Sequence, residues 1–118
     1  MIVLPGGLPG ADHLNQDPRI HTLLQAMNRN GKYTAAICAA PKVLASAGLL
    51  DGRKATGYPG VLEKTGRTGV EISSGAVVRD GTVITSRGPG TAMDFALELI
   101  EVLAGRAKRQ QVEQALVR

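Results

Sequence analysis

Aromatic side chains are scarce in this sequence of 118 residues, which contains one Phe, two Tyr and no Trp. The core must therefore be built from aliphatic residues and alanine, which favours the close-packed layers of an α/β fold over an aromatic-rich β-sandwich. The single cysteine excludes an intramolecular disulfide and predicts a reducing, cytoplasmic compartment. No apolar run reaches the length of a membrane span, so we expect no membrane contact.

Charge of neither sign dominates, and the formal net charge is +4. Much of the excess lies near the C-terminal end, in Arg106, Lys108, Arg109 and Arg118. These residues predict a solvated helix with basic residues near its carboxyl end. Nucleic-acid binding is not expected, because neither a broad basic face nor aromatic stacking platforms accompany these charges.

Strand-like and helix-like segments alternate along the chain, which predicts a single α/β domain over residues 1–118 with a mainly parallel sheet. Predicted strands cover 2–4, 34–37, 54–56, 71–72, 76–79 and 82–85, and predicted helices cover 18–28, 41–47, 92–104 and 107–116. Asp17 is a predicted helix N-cap and Asp80-Gly81 a predicted hairpin turn. Thr91 is predicted to cap the next long helix, with Asp94 completing a capping box.

Cys38 occupies the most informative position, because it follows the apolar strand 34–37 at once and is followed by Ala39, Ala40 and the helix-starting Pro41. Small residues at a strand-to-helix junction are typical of a nucleophile elbow, which raises a reactive side chain at the carboxyl end of a sheet. The N–H groups and dipole of the following helix would stabilise a thiolate, so we predict a reactive cysteine of low pKa. The alternative is a small buried cysteine that only fills the core.

Gly6 and Gly7 end the first predicted strand. If that strand neighbours the one before Cys38, the two glycine N–H groups could form an oxyanion hole beside the sulfur. The alternative is an ordinary pair of loop glycines.

Three motifs, in their order and spacing, resemble those of the ThiJ/PfpI family, in its branch of the Parkinson's-linked protein deglycase. That family belongs to the class I glutamine amidotransferase-like superfamily. The motifs are Leu-Pro-Gly-Gly at 4–7, Ala-Ala-Ile-Cys-Ala-Ala-Pro at 35–41 and Thr-Ser-Arg-Gly-Pro-Gly-Thr at 85–91. The resemblance implies a flavodoxin-like three-layer sandwich. It also implies a site in which Cys38 is the nucleophile, the backbone of Gly6, Gly7 and Ala39 donates to an oxyanion, and Ser86 and Arg87 contact the substrate. Tyr58 could line the same pocket and bind the substrate, or it could simply pack over the site.

The function implied by this resemblance is that of a cysteine-dependent glyoxalase or protein deglycase acting on methylglyoxal, glyoxal or early glycation adducts on protein side chains. The resemblance further implies a homodimer without metal or cofactor. Two alternatives stay open. One is a redox-sensing or chaperone-like oxidative-stress protein that uses oxidation of Cys38 without turnover, and the other is an inactive fragment of the enzyme.

The sequence departs from the family pattern in two ways. Family members carry earlier strands that deliver a Glu to the cysteine, so we interpret the chain as a partial domain lacking its first strands, with a naturally short homologue as the alternative. Glu63 and Glu71 could replace that acid only by default. Tyr58 stands where animal members of the branch carry His, so a Cys-His pair is not expected. The two histidines, His13 and His21, are predicted to be surface residues without a metal.

Overall fold

The computed structural model describes residues 1–118 and contains six strands and five α-helices in one α/β domain. In chain order the elements are β1 (Ile2–Leu4), α1 (Gly10–Gln16), α2 (Pro18–Arg29), β2 (Thr34–Ile37), α3 (Pro41–Ser46), β3 (Lys54–Ala55), β4 (Glu71–Ile72), β5 (Val77–Asp80), β6 (Val83–Ser86), α4 (Ala92–Ala104) and α5 (Arg106–Leu116). None of these helices combines the length and the hydropathy that crossing a membrane requires.

Four strands form the central sheet in the order β1-β2-β6-β5. β1, β2 and β6 run parallel, and β5 pairs with β6 in the antiparallel sense. A separate parallel pair is formed by β3 and β4. The predicted mainly parallel sheet is therefore confirmed. β2 lies at its centre, with three consecutive buried residues that match the continuous apolar pattern of a strand covered on both faces.

Helices cover both faces of the sheet, which confirms the predicted three-layer architecture. On one face, α2 and α3 contribute to a cluster of thirteen buried hydrophobic residues that includes Leu24, Leu44 and, from the sheet, Leu4. On the other face, Phe95 of α4 packs against Ala35 and Ile84 in a cluster of three buried residues. Alternate residues of β2 point to opposite faces, so Ala35 belongs to one cluster and Ala36 to the other.

Helix α1 was not predicted from the sequence. It begins at Gly10 and contains Asp, His and Asn, which are weak helix formers, so its local propensity is low. Tertiary contacts stabilise it instead, because Ala11 is fully buried and Asp12 forms an ion pair with Lys42 of α3.

The start of α2 follows its prediction. Asp17 caps the helix by accepting a hydrogen bond from the backbone N–H of Arg19 at 2.9 Å, and Pro18 occupies the first turn. Side-chain hydrogen bonds from Arg19 lower the pKa of the Asp17 carboxyl from 3.8 to about 2.

Two predicted local features were wrong, namely the residues of the β5–β6 turn and the capping box of α4. The β5–β6 turn consists of Gly81 and Thr82, whereas Asp80 stays in β5 opposite Val83. Gly81 supplies the left-handed conformation of the turn, with φ +60°. Asp80 stays in the strand because its carboxylate accepts a hydrogen bond from the Lys54 N–H at 2.9 Å and so joins the two sheets.

The Thr91–Asp94 capping box is also absent, because the Thr91 side chain makes no capping bond to α4. Its hydroxyl accepts a hydrogen bond from the Gly88 N–H at 3.1 Å and lies 2.7 Å from the Ser86 hydroxyl. Asp94 instead pairs with Arg118 at 2.7 Å. Thr91 therefore secures the end of β6 rather than the start of α4.

Candidate active site

Cys38 lies at a sharp turn between β2 and α3 and has a backbone φ of +66°. Val117 is the one other non-glycine residue with a positive φ. A left-handed conformation is unfavourable for a cysteine and persists only where the surroundings enforce it. Here the Cys38 N–H donates to the Ser86 carbonyl at 3.0 Å, and its own carbonyl accepts from the Tyr58 N–H at 2.8 Å.

Close backbone contacts hold the elbow from two further sides. β1 pairs with β2, and the turn after β1 brings Gly6 against Cys38. A Cβ atom on Gly6 would lie 2.7 Å from the Cys38 Cβ and 2.9 Å from the Ile37 carbonyl oxygen, so only glycine fits there. A Cβ on Gly57 would lie 3.3 Å from the Cys38 carbonyl oxygen.

Three backbone donors at the elbow and in the adjoining loop after β1 are unpaired. The N–H groups of Gly6, Gly7 and Ala39 make no hydrogen bond within the chain, whereas the next N–H, that of Ala40, donates to the Ile37 carbonyl at 3.1 Å. Gly7 has a φ of +88°, which only glycine adopts without strain. The elbow thus combines a half-buried thiol with free N–H groups, which is the chemical equipment for attack on a carbonyl and for stabilising the resulting oxyanion.

The helix contributes less to this site than the sequence indicated. Residues 38–40 form a turn, and α3 begins only at Pro41, which has no N–H group. α3 is also only six residues long. The residues that directly follow Cys38 therefore belong to a turn and not to the first turn of a helix.

Ser86 occupies a different place from the one the resemblance implied. Its side chain is fully buried, and its hydroxyl donates to the Ala76 carbonyl at 2.8 Å and lies against the Thr91 hydroxyl. No surface of Ser86 is left for a substrate. Its carbonyl, however, holds the Cys38 N–H, so we revise its role from substrate binding to positioning of the elbow.

Tyr58 and Arg87 lie together in a groove with a volume of about 310 Å³. Tyr58 is half exposed, and Arg87 is fixed by a hydrogen bond from its guanidinium to the Ser74 carbonyl at 2.8 Å. The groove is also lined by Gly57, which packs against the Cys38 carbonyl, but Cys38 is not among its lining residues. Gly57 was not predicted from the sequence as a residue of the site, although its position directly before Tyr58 could have indicated it.

The two acidic residues that could have replaced the family's Glu do not contact the elbow. Glu63 is exposed and lines the groove of Tyr58, and Glu71 is exposed on β4. His13 is exposed, as expected, but His21 is half-buried and its Nε2 lies 2.8 Å from the Asn15 carbonyl oxygen. His21 thus connects α1 with α2. No three His, Cys, Asp or Glu side chains lie close enough together to hold a metal ion.

The sequence profile of the DJ-1/PfpI family matches residues 1–102, which include every element from β1 to most of α4. The Drosophila melanogaster protein dj-1beta is 42% identical over 117 residues, covering 99% of this chain and 63% of the relative. Its crystal structure superposes with a TM-score of 0.91 over 98% of this chain and 62% of that one.

Two further relatives carry informative names. The Caenorhabditis elegans glutathione-independent glyoxalase DJR-1.2 is 38% identical over 116 residues, covering 98% of this chain and 61% of the relative. The Toxoplasma gondii DJ-1 structure, solved in an oxidized form, has a TM-score of 0.86 at 35% identity, covering 95% of this chain and 60% of that one. The chain thus spans less than two thirds of the length of these relatives.

Proposed function

Because the chain belongs to the DJ-1/PfpI family, we propose that it performs cysteine-dependent conversion of reactive dicarbonyls, such as methylglyoxal and glyoxal, into hydroxy acids. The observation that carries this proposal is the strained elbow, at which Gly6 packs against Cys38 and the N–H groups of Gly6, Gly7 and Ala39 make no hydrogen bond within the chain. The glyoxalase name of the Caenorhabditis elegans relative supports the same chemistry.

The proposed reaction begins when the Cys38 thiolate attacks the aldehyde carbon of methylglyoxal. The carbonyl oxygen becomes an oxyanion, accepts hydrogen bonds from the N–H groups of the elbow and is protonated to a hemithioacetal. A proton then moves from C1 to C2 through an enediol, which gives a lactoyl thioester on Cys38. Water hydrolyses this thioester to lactate and regenerates the thiol, so the overall change is the addition of one water to methylglyoxal.

Tyr58 and Arg87 are the proposed substrate-contacting side chains. Both border the groove next to the elbow, and the fixed guanidinium of Arg87 suits a carbonyl or carboxylate oxygen. A groove of about 310 Å³ also leaves room for an early glycation adduct on a protein side chain, which is the finer part of the proposal. Glu63 and Glu71 make no hydrogen bond to the elbow, so neither is assigned as the general acid or base.

The test is lactate formation from methylglyoxal by the purified chain and its Cys38→Ser variant. The proposal predicts that lactate forms and that the variant loses this activity while keeping the far-UV circular dichroism of the parent. Arg87→Gln should lower the rate partially, and Arg106→Gln, the same change on an exposed helix, should not alter it. Equal lactate formation by Cys38→Ser would refute a nucleophilic role of the cysteine.

A second candidate function is redox sensing through Cys38 without turnover. It is favoured by the partial exposure of the only cysteine and by the oxidized form in which the Toxoplasma gondii relative was solved. This function predicts that limited peroxide adds two oxygen atoms at Cys38, as a sulfinic acid, without consumption of dicarbonyl. Oxidation of exposed Met93 before Cys38 in peptide mass spectra would argue against it.

Homodimer formation and a cytoplasmic location are further parts of the proposal. A reducing compartment suits a protein whose single cysteine must stay free to react. Light scattering of the purified chain tests the dimer directly, since a mass of 12.3 kDa would identify a monomer.

A further inference from the structure

A basic groove lies on the outer side of α3, away from the residues assigned to the candidate active site. It has a volume of about 400 Å³ and lies between α1, α3 and the segment 61–67. Its lining residues are Asn15, Lys42, Ser46, Val61, Lys64, Thr65 and Arg67. Three of these carry a positive charge, none carries a negative charge, and Val61 is the one hydrophobic residue.

Two of the three cations are held in place by the fold. Lys42 pairs with Asp12 of α1. Arg67 donates to the Asp51 carboxylate at 3.1 Å and to the Ser46 carbonyl at 3.2 Å, which fixes its guanidinium against the end of α3. Both carboxylates lie outside the lining of the groove. The cationic groups are thus prepositioned, which lowers the entropy lost when an anion binds between them.

Lys64 differs from the other two cations because its side chain makes no ion pair and no hydrogen bond. The charges of Lys42 and Arg67 are each balanced by one carboxylate, so Lys64 supplies the uncompensated positive charge of the groove. Any anion bound there gains most of its new electrostatic interaction from this residue.

We propose that the basic groove binds a small phosphorylated molecule that carries hydroxyl groups, such as a sugar phosphate. The phosphate would lie between Lys42, Lys64 and Arg67, because phosphate oxygens accept charge-assisted hydrogen bonds from ammonium and guanidinium donors. The groove is larger than a phosphate ion, and its remaining walls carry the amide of Asn15 and the hydroxyls of Ser46 and Thr65. These groups suit a polar ligand body.

Titration of the ¹⁵N-labelled chain with ribose 5-phosphate, and separately with inorganic phosphate, tests this proposal by NMR. We expect saturable shifts of the amide signals of Ser46, Lys64 and Thr65, with tighter binding of ribose 5-phosphate than of phosphate. Lys64→Gln should weaken binding about tenfold, since it removes one hydrogen bond between charged groups. This variant should fold normally because the Lys64 side chain is exposed and has no partner.

Lys108→Gln is the matched control, because Lys108 is an exposed lysine on α5, far from the groove, that contacts only Gln111. It removes the same charge and should leave both affinities unchanged. Equal weakening by the two variants would reduce the effect to net charge and overturn the proposal. So would shifts that do not saturate, or equal affinities for phosphate and ribose 5-phosphate.

Discussion

The two faces of the central sheet differ in how many buried hydrophobic residues pack against them. The face under α2 and α3 carries thirteen buried hydrophobic residues, whereas the face under α4 carries three. α5, which packs on α4, has no buried residue at all. The first face therefore gains more of its stability from apolar burial than the second face does.

On the side of the second face, ion pairs join the C-terminal segment to α4. Arg109 of α5 pairs with Glu98 at 3.0 Å and with Glu101 at 3.7 Å, and Arg118 pairs with Asp94 at 2.7 Å. The elbow of Cys38 is built into the first face, where α3 follows it directly. We therefore expect the part of the fold that carries the candidate site to be less sensitive to salt than the attachment of α5.

The largest expected difference between the faces concerns two leucines. Leu44 is fully buried on the first face, and Leu44→Ala should cost about 2–5 kcal/mol of unfolding free energy through lost burial and a new cavity. Leu103 of α4 is 65% exposed, so Leu103→Ala should stay within about 0.5 kcal/mol. Urea unfolding measures both, and similar losses would contradict the contribution that apolar burial makes on the first face.

Alanine substitutions at two glycines test whether close packing at the elbow positions Cys38. Gly6→Ala places a methyl group 2.7 Å from the Cys38 Cβ, and relieving this overlap should cost about 1–3 kcal/mol and displace the thiol. Gly10→Ala, at a position where a Cβ meets nothing, should keep both stability and Cys38 alkylation rate. Unchanged alkylation in Gly6→Ala would show that the contact does not position the cysteine.

Salt should distinguish the second face from the first. Arg109→Gln removes the ion pairs with Glu98 and Glu101 and should cost less than about 1 kcal/mol at low ionic strength, with a smaller loss at high salt. Arg29→Gln on α2 is the control, because Arg29 forms no ion pair. A loss from Arg109→Gln that is independent of salt would assign α5 docking to packing instead.

The smallest effect is the pH response of the α2 cap on the first face. The folded-state pKa of Asp17, about 2, lies below the ordinary value of 3.8 because Arg19 stabilises the carboxylate. This contribution to stability is therefore present above about pH 4 and is lost as the pH falls towards 2. NMR titration of the Asp17 carboxyl should show this low value, and Arg19→Gln should raise it. An identical titration in both proteins would contradict the assigned cause.

Local patterns were sufficient for much of this fold. The apolar run before Cys38 and the alternation of strands and helices predicted the mainly parallel sheet, whereas its two helical layers were implied by the family resemblance. The Pro18 and Asp17 signals predicted the start of α2 correctly. These features depend on residues that are adjacent in sequence, or on the hydrophobic periodicity of a single strand or helix.

Features that depend on distant contacts were not predictable in the same way. α1 forms because Ala11 is buried and Asp12 meets Lys42, contacts that no local propensity encodes. The Ser86 hydroxyl donates to the Ala76 carbonyl, so this residue of the 85–91 motif has a structural role. The left-handed conformation of Cys38 likewise arises from strand pairing and from the loop at Gly57.

The central claim is that the elbow makes Cys38 more reactive than an ordinary cysteine. Its most direct test is the rate of iodoacetamide alkylation of Cys38 in the native chain and in the same chain unfolded in urea, at one pH. We predict faster alkylation in the native chain, despite the partial burial of the thiol. Equal or slower alkylation in the native chain would show that the fold does not activate this cysteine and would contradict the account.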